Sequence, residues 1–518
     1  MGEKKKVDLL WGLIVFGLAG VYLILAFRNP FSARSLIPNI EPYPDTLLYT
    51  LPAWNWTKGL GFQMGANGIN VRHSVPMTYS YFLAPFMKMA NDVRGFFFGN
   101  IFLGLITLGF FFLTVKNLFG KEKYGWHLVG YLGFLLVTNF YFFNDPVLAM
   151  AENLVIPVLM AFFYFVIQKI NIKNLLIMAG LTGLMAVIKS TSVIFAGLFG
   201  VILIAKIIWE YIWPKKEWWK YTVAVVILGI AMVLIIFLPR IMSLSGTAYN
   251  ISFFAKNWAF YWNSLNGGPT RNLWYFQKTL TTDVFVLAIL GIPAGLTDKK
   301  YRFFTGAVWL TILVFVGAMS FFVDTEGRHV MVLVPLFIIS AGIFFSKIPG
   351  KYLLPVLAGL TVLNLFLSYE PEGKLPKIIS LKQQVGMNFR HAEVPWNYVC
   401  VEEFNQFFSK KDDNTYLGSF LPLYLFYFYG NNNYRTLPLS MGQDFMSRDM
   451  SHYYKTPLRE EYLYWLNNGK NVYYSDYYST NGREAWKNEL TAITKGLKVT
   501  KVFQSPEDVC NIYQLSLK

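Results

Sequence analysis

The sequence predicts an α-helical polytopic membrane protein that carries a small α/β domain at its C-terminal end. Three observations predict it. The first is composition: of 518 residues, 54% are hydrophobic and 18% aromatic, and only 15% are charged, against about 25% charged in soluble globular domains. Mean hydropathy is +0.38. A core of limited size does not absorb that much apolar surface, so the excess must face lipid. The second observation is a series of long apolar runs that ends near Tyr369. The third is the change after it, where strand-like and helix-like segments alternate in a more polar chain. Two domains follow: a membrane bundle over 1–369 and an α/β domain over 370–518.

Taken in order, the basic start MGEKKK leads into Asp8–Phe27. That run is too long for a signal-peptide core and no A-x-A site follows it, so it reads as an uncleaved first helix with a cytoplasmic N-terminus. Residues 28–94 read as an external loop with juxtamembrane helices. Within it, Thr46–Lys58 places Leu47, Leu51 and Trp54 on one helical face, the pattern of a helix lying in the interface. Gly59–Gly68 is a turn-rich break, and Pro76–Ala90 is apolar but short and interrupted by two prolines. Further spans are predicted at 95–115, 126–143, 150–168, 174–188, 192–209, 221–239, 283–296, 303–322, 330–346 and 352–369, about eleven with the first.

Positive charge sets the sidedness. The loops 116–125, 169–173, 210–220, 297–302 and 347–351 each hold at least two Lys or Arg and are predicted to be cytoplasmic. The first loop, 144–153, 189–191, 240–282 and 323–329 then lie outside. With an odd number of spans, so does the C-terminal domain, placing the protein in the cell membrane as a multi-pass chain. In that domain Val394–Val401, Asn471–Tyr477, Thr500–Phe503 and Cys510–Gln514 read as strands, and Arg459–Leu466 and Arg483–Leu490 as helices.

Several function classes are disfavoured. The net charge of +16 is spread over short loops between spans, which is the topological signature and not the clustered basic face of a nucleic-acid binder. No GxxxxGK[ST] or GxGxxG loop is present, and no inner domain is available to hold a nucleotide. Cys400 and Cys510 show no CxxC spacing, and a disulfide between them stays open. His73, His127, His329, His391 and His452 form no HxxxH or HxH pair, so no metal site is predicted.

Chemistry-bearing residues gather on the outer side. Asp45 opens the Thr46–Lys58 segment, with Glu41 four positions before it. Taken alone, Asp45 reads first as a helix N-cap. Glu152 stands at the outer end of the fourth span, where the plain alternative is an interface residue facing water. Arg72, His73, Lys189, Arg240, Arg271, Arg328 and His329 are cations on the same side, each also suited to a lipid headgroup. Together these groups make chemical sense. A carboxylate acts as general base towards an acceptor hydroxyl or amine. Cations at similar depth hold a phosphate and stabilise its charge as it leaves. A sugar on a polyprenyl phosphate offers both at a membrane surface.

EPYPDTLLYTLPAWNWTKGLGF resembles the first-loop motif of the GT-C superfamily of integral-membrane glycosyltransferases, in the protein mannosyltransferase-like and aminoarabinose-transferase-like branch that uses polyprenyl-phosphate sugars. VRHSVPMTYSYFLAPF is similar to a second segment of that family through His73 and Pro76, with one of its paired prolines. AMAENLVIPVLM is similar to its next acidic motif through Glu152 and Asn153; GLTGLMAVIKSTSVIF and EGRHVMVLVPLF match later elements through Lys189, Arg328 and His329. Where the family often has a second acidic residue after the first, this chain has Thr46.

The resemblance covers roughly residues 8–350 in order and spacing. It implies a GT-C-like bundle, with Asp45 as catalytic base and Glu152 beside it. It implies inverting transfer of a hexosyl or pentosyl group from a polyprenyl-phosphate sugar donor. The acceptor is a glycan, lipid or protein. Glu41, Arg72, His73, Lys189, Arg328 and His329 line the substrate site, and neither cofactor nor nucleic acid takes part. The rival expectations are a transporter or flippase for lipid-linked sugar, and a non-catalytic glycolipid-binding envelope protein. Transporters often show inverted repeats and broken spans near the midplane, and neither is evident in this sequence.

Overall fold

A computed structural model describes residues 3–28, 45–62, 76–92, 95–122, 124–144, 146, 148–189, 191–212, 282–319, 331–367, 407–408, 414–419, 434–439, 458–476, 484–504 and 511–518. They fall into two compact units. The first unit is helical. It takes in α1 (Glu3–Arg28), the residues up to Tyr79 that open α3 (Thr78–Ala90), and α4 (Gly95–Phe119) from Phe97 onward. It continues with α5 (Gly125–Val137), α6 (Phe140–Asn144), α7 (Glu152–Ile167), α8 (Ile172–Ile188) and α9 (Ser192–Ile207), which runs into a π turn at Ile208–Ile212. It ends with α10 (Thr282–Thr297), α11 (Arg302–Met319), α12 (Val334–Phe345) and α13 (Gly350–Leu367).

Four stretches among the described residues, Leu9–Phe27, Gly95–Phe119, Ser192–Glu210 and Arg302–Met319, are long and apolar enough to cross a bilayer. Shorter apolar helices stand at most of the other predicted spans, while 221–239 lies outside the described residues. The burial pattern fits lipid as solvent. Phe16 is 79% exposed and Leu13 61%, an apolar face with no reason to meet water. Conversely, α7 and α12 are buried along almost their whole lengths and form the interior.

The predicted span at 126–143 is two helices. Thr138 Oγ1 donates to the Phe134 carbonyl at 2.7 Å, and Asn139 Oδ1 accepts from Phe142 N at 3.3 Å. The Asn139 side chain caps the start of the second helix, and the Thr138 bond back to Phe134 belongs to the last turn of the first.

Close helix packing depends on small residues. A Cβ at Gly291 in α10 would fall 2.1 Å from the Ser340 carbonyl oxygen in α12. Ser340 Oγ in turn accepts from Trp309 Nε1 at 2.8 Å and donates to the Ala288 carbonyl at 2.7 Å.

Loops assigned to one side of the membrane meet one another. Lys300 from 297–302 pairs with Glu122 from 116–125 at 2.7 Å, and Asp298 pairs with Lys347 from 347–351. Elsewhere on the unit, Glu210 takes Lys206 Nζ at 2.5 Å and the backbone N–H of Ile170 at 3.1 Å, joining 169–173 to the end of α9. Asp298 titrates below the usual carboxylate range because Lys347 and the N–H of Lys300 both donate to it.

The second unit holds α2 (Asp45–Thr57), α3 from Ser80 onward, and the C-terminal elements. Helices α2 and α3 have 13 residues each, about 20 Å of helix, too short for a bilayer core of about 30 Å. Ser80 Oγ donates to the Tyr49 carbonyl at 2.8 Å, and Phe62 stacks on Trp56 and meets the edge of Tyr81.

The C-terminal sheet contains β1 (Thr415–Ser419), β2 (Tyr434–Pro438), β3 (Asn471–Ser475), β4 (Lys498–Gln504) and β5 (Asn511–Ser516) in the order β2-β1-β3-β5-β4. β1 is parallel to β2 and β3, whereas β5 is antiparallel to both β3 and β4. Helices α14 (Leu458–Asn467) and α15 (Glu484–Thr494) complete an α/β arrangement around Tyr416, Leu437, Tyr462, Val472 and Leu515. A Cβ on Gly418 would fall 2.1 Å from Tyr462 Oη, so β1 needs glycine there for α14 to approach. The sequence pattern does not mark strands β1 and β2, and the strand expected at Val394–Val401 lies outside the described residues.

Candidate functional site: a buried carboxylate–ammonium pair

Three helices of the first unit build the site. Glu152 is the first residue of α7, which places its carboxylate in the turn where free backbone N–H groups favour negative charge. Lys189 follows α8 in extended conformation, φ −149° and ψ 154°. The tight connection into α9 is closed by Ser192, whose hydroxyl accepts from Lys189 N at 3.0 Å and contacts the carbonyl oxygens of Lys189, at 2.7 Å, and Met185.

This turn aims Lys189 back at α7. Its Nζ lies 2.6 Å from Glu152 Oε1, with the side chains 11% and 4% exposed. Each charge offsets the desolvation of the other, which neither would tolerate alone in a membrane bundle.

The chain leading into Glu152 is held by side-chain amides. Asn153 Nδ2 donates to the Leu148 carbonyl at 2.8 Å and to Met150 at 3.2 Å. Asn100, fully buried in α4, donates to the Pro146 and Leu148 carbonyls at 3.1 and 3.0 Å and accepts from Tyr79 Oη at 2.6 Å. Thr78 Oγ1 donates to the Val187 carbonyl at 2.6 Å, two residues before Lys189.

Of the residues singled out in the sequence, Glu152 and Lys189 are brought together. Asp45 is the first residue of α2. Glu41, Arg72, His73, Arg240, Arg271, Arg328, His329, Cys400 and Cys510 lie outside the described residues. Sequence reading missed Asn100 and Tyr79. An asparagine inside a 25-residue apolar helix is itself a signal, because an amide in lipid needs partners. Tyr79 offers none, being one aromatic among many.

The sequence matches no family model and no curated protein. Solved structures do match. ArnT from Cupriavidus metallidurans bound to undecaprenyl phosphate superposes with a TM-score of 0.64 over 96% of this chain and 97% of that one, at 12% identity. The GT-C fold is therefore the fold of this chain. ArnT in the apo state gives 0.63 over 97% of both chains, also at 12% identity. The oligosaccharyltransferase AglB from Archaeoglobus fulgidus, in complex with an inhibitory peptide and a dolichol-phosphate, gives 0.52 at 9% identity over 98% of this chain and 74% of that one. On this GT-C frame the Glu152–Lys189 pair lies at the ends of α7 and α8, in a segment the motif AMAENL had already marked.

Proposed function

We propose that this GT-C protein is a membrane glycosyltransferase that moves a sugar from a polyprenyl-phosphate donor to an acceptor on the extracytoplasmic side, with inversion at the anomeric carbon. The observation that carries the reading is the Glu152–Lys189 pair, buried at the helix ends of a fold also seen in ArnT bound to undecaprenyl phosphate and in AglB with dolichol-phosphate. An ammonium preset in a water-poor site is poised for a phosphate, because it need not reorganise as charge develops. Asp45 deprotonates or orients the acceptor. Glu152 positions donor or acceptor and holds Lys189 until the phosphate arrives. Lys189, Arg328 and His73 bind the donor phosphate, and Glu41, Arg72 and His329 line the substrate site around them. The leaving group is a monophosphate, so its departure does not chemically require a divalent metal. The membrane domain over 1–369 carries the reaction, and the domain over 370–518 docks the acceptor or caps the site from outside the cell.

The test is direct. Purified protein in liposomes receives a polyprenyl phosphate with a radiolabelled sugar, together with envelope extract as acceptor. Label appearing on an acceptor, with release of polyprenyl phosphate, supports transfer. Label that only changes leaflet makes the protein a flippase, and label that is only retained makes it a binding protein.

A further inference from the structure

The Glu152–Lys189 pair is carried by two different chain segments, and something must hold those segments in register. The entry to α7 is buried, and its carbonyls are held from two sides: backbone N–H groups of Met150 and Asn153 donate to Leu148 at 2.9 Å and to Met150 at 3.1 Å, and side-chain amides reach Pro146, Leu148 and Met150. Asn100 supplies both amide hydrogens, to Pro146 and Leu148, and Asn153 supplies a donor to Leu148 and Met150. Tyr79 fixes which way the Asn100 amide points: its hydroxyl donates to Oδ1 at 2.6 Å, so the two N–H groups face the α7 entry.

On the other arm, the Val187 carbonyl is one of the four at the end of α8 that have no partner within the helix. Thr78 donates to it at 2.6 Å. Adjacent residues at the start of α3 therefore grip both arms: Tyr79 the segment entering Glu152, and Thr78 the segment leaving towards Lys189. Tyr79, Asn100 and Asn153 are 5% exposed or less.

We infer that Thr78, Tyr79, Asn100 and Asn153 are positioning residues that keep the Glu152 carboxylate against the Lys189 ammonium. As a statement about catalysis this rests on the transfer reading above; as a statement about geometry it does not. The device matters because a misplacement of about 1 Å in a reacting constellation can cost about 100-fold in rate.

The experiment uses the full chain in lipid nanodiscs. An amine-acylating reagent is applied, and the labelling rates of Lys189 and Lys206 are read by mass spectrometry. Lys206 is the internal control: it is 3% exposed and bound to the Val166 carbonyl and Glu210, away from the pair. In Tyr79→Phe and in Thr78→Val, labelling of Lys189 rises about fivefold, the factor expected for one lost hydrogen bond, and Lys206 does not change. Thr78→Ser, which keeps the hydroxyl, labels like the parent. Tyr79→Phe and Thr78→Val also lower kcat for sugar transfer and raise donor KM, because the displaced Lys189 is the group that meets the donor phosphate, whereas Thr78→Ser changes neither.

Lys189 labelling that stays at the parent rate in both variants overturns the inference. So does a parallel rise at Lys206, which would mean general loosening. A parent protein that transfers no sugar removes the transfer reading, while the ratio of the two labelling rates still decides the positioning claim.

Discussion

Lys189 Nζ and Glu152 Oε1 lie 2.6 Å apart although 37 residues separate them in the chain, and both side chains are nearly closed to solvent. Removing one charge from such a pair strands the other in a poor solvent and costs about 3–5 kcal/mol. Glu152→Gln and Lys189→Met therefore each lower the unfolding midpoint in detergent by several degrees. The double variant, with no charge left to strand, recovers part of the loss. A thermal-unfolding double-mutant cycle checks this, and purely additive single effects would show that the two groups do not couple.

Asp45→Asn keeps the size of the side chain and removes its basicity. Loss of a general base lowers the transfer rate by about 10²–10⁴, while the detergent-extracted protein stays monodisperse. Transfer near the parental rate takes Asp45 out of the mechanism and leaves it the first residue of α2, in the role of an ordinary helix start.

Much of the helical unit is legible in the sequence because lipid imposes one rule on every spanning segment: apolar side chains and an internally bonded backbone. The rule is an average, so it passes over Asn139, whose side chain caps the start of α6 just after α5 ends. Strands β1 and β2 are harder to see. TYLGS and YRTLP have five residues each and read as strands only once β3 lies beside β1. Glu152 and Lys189 stand out singly, since charge at membrane depth is costly. Their pairing, and the grip of Asn100 on carbonyls 46 and 48 residues away, arise from the three-dimensional arrangement and leave no local pattern to read.

Gly291→Ala tests the helix packing. The added methyl would sit 2.1 Å from the Ser340 carbonyl oxygen and 2.7 Å from its hydroxyl, so α10 and α12 must part and the bond from the Ser340 hydroxyl to the Ala288 carbonyl weakens. Overpacking of this kind costs about 1–3 kcal/mol. Gly306→Ala in α11 is the control, since a Cβ there meets nothing within 4 Å and helix propensity favours alanine by up to about 1 kcal/mol. Thermal unfolding of the two variants moves in opposite directions; equal midpoints would mean that α10 has room beside Ser340.

The C-terminal sheet carries its own pH dependence. Tyr474 stacks on Tyr513 with ring centroids 4.8 Å apart, and the Tyr513 hydroxyl donates to Asp476 Oδ2 at 3.0 Å. Burial first, and then the Asp476 carboxylate, push the Tyr474 phenol up to about 12 from 10.0. The folded sheet thus favours the neutral phenol more strongly than the unfolded chain does. Its contribution is present in full below pH 10 and is lost as pH rises through 10 towards about 12. Resistance of the C-terminal segment to proteolysis, measured across that window, declines in the parent. It declines less in Tyr474→Phe, which has no proton to lose. Asp476→Asn removes the smaller cause, so the folded-state phenol moves back towards 10.0 and the decline is shallower and ends at lower pH than in the parent; this variant also weakens the bonds to Asn511, so its absolute resistance is lower at every pH. An identical decline in the parent and Tyr474→Phe would assign the alkaline loss to another group.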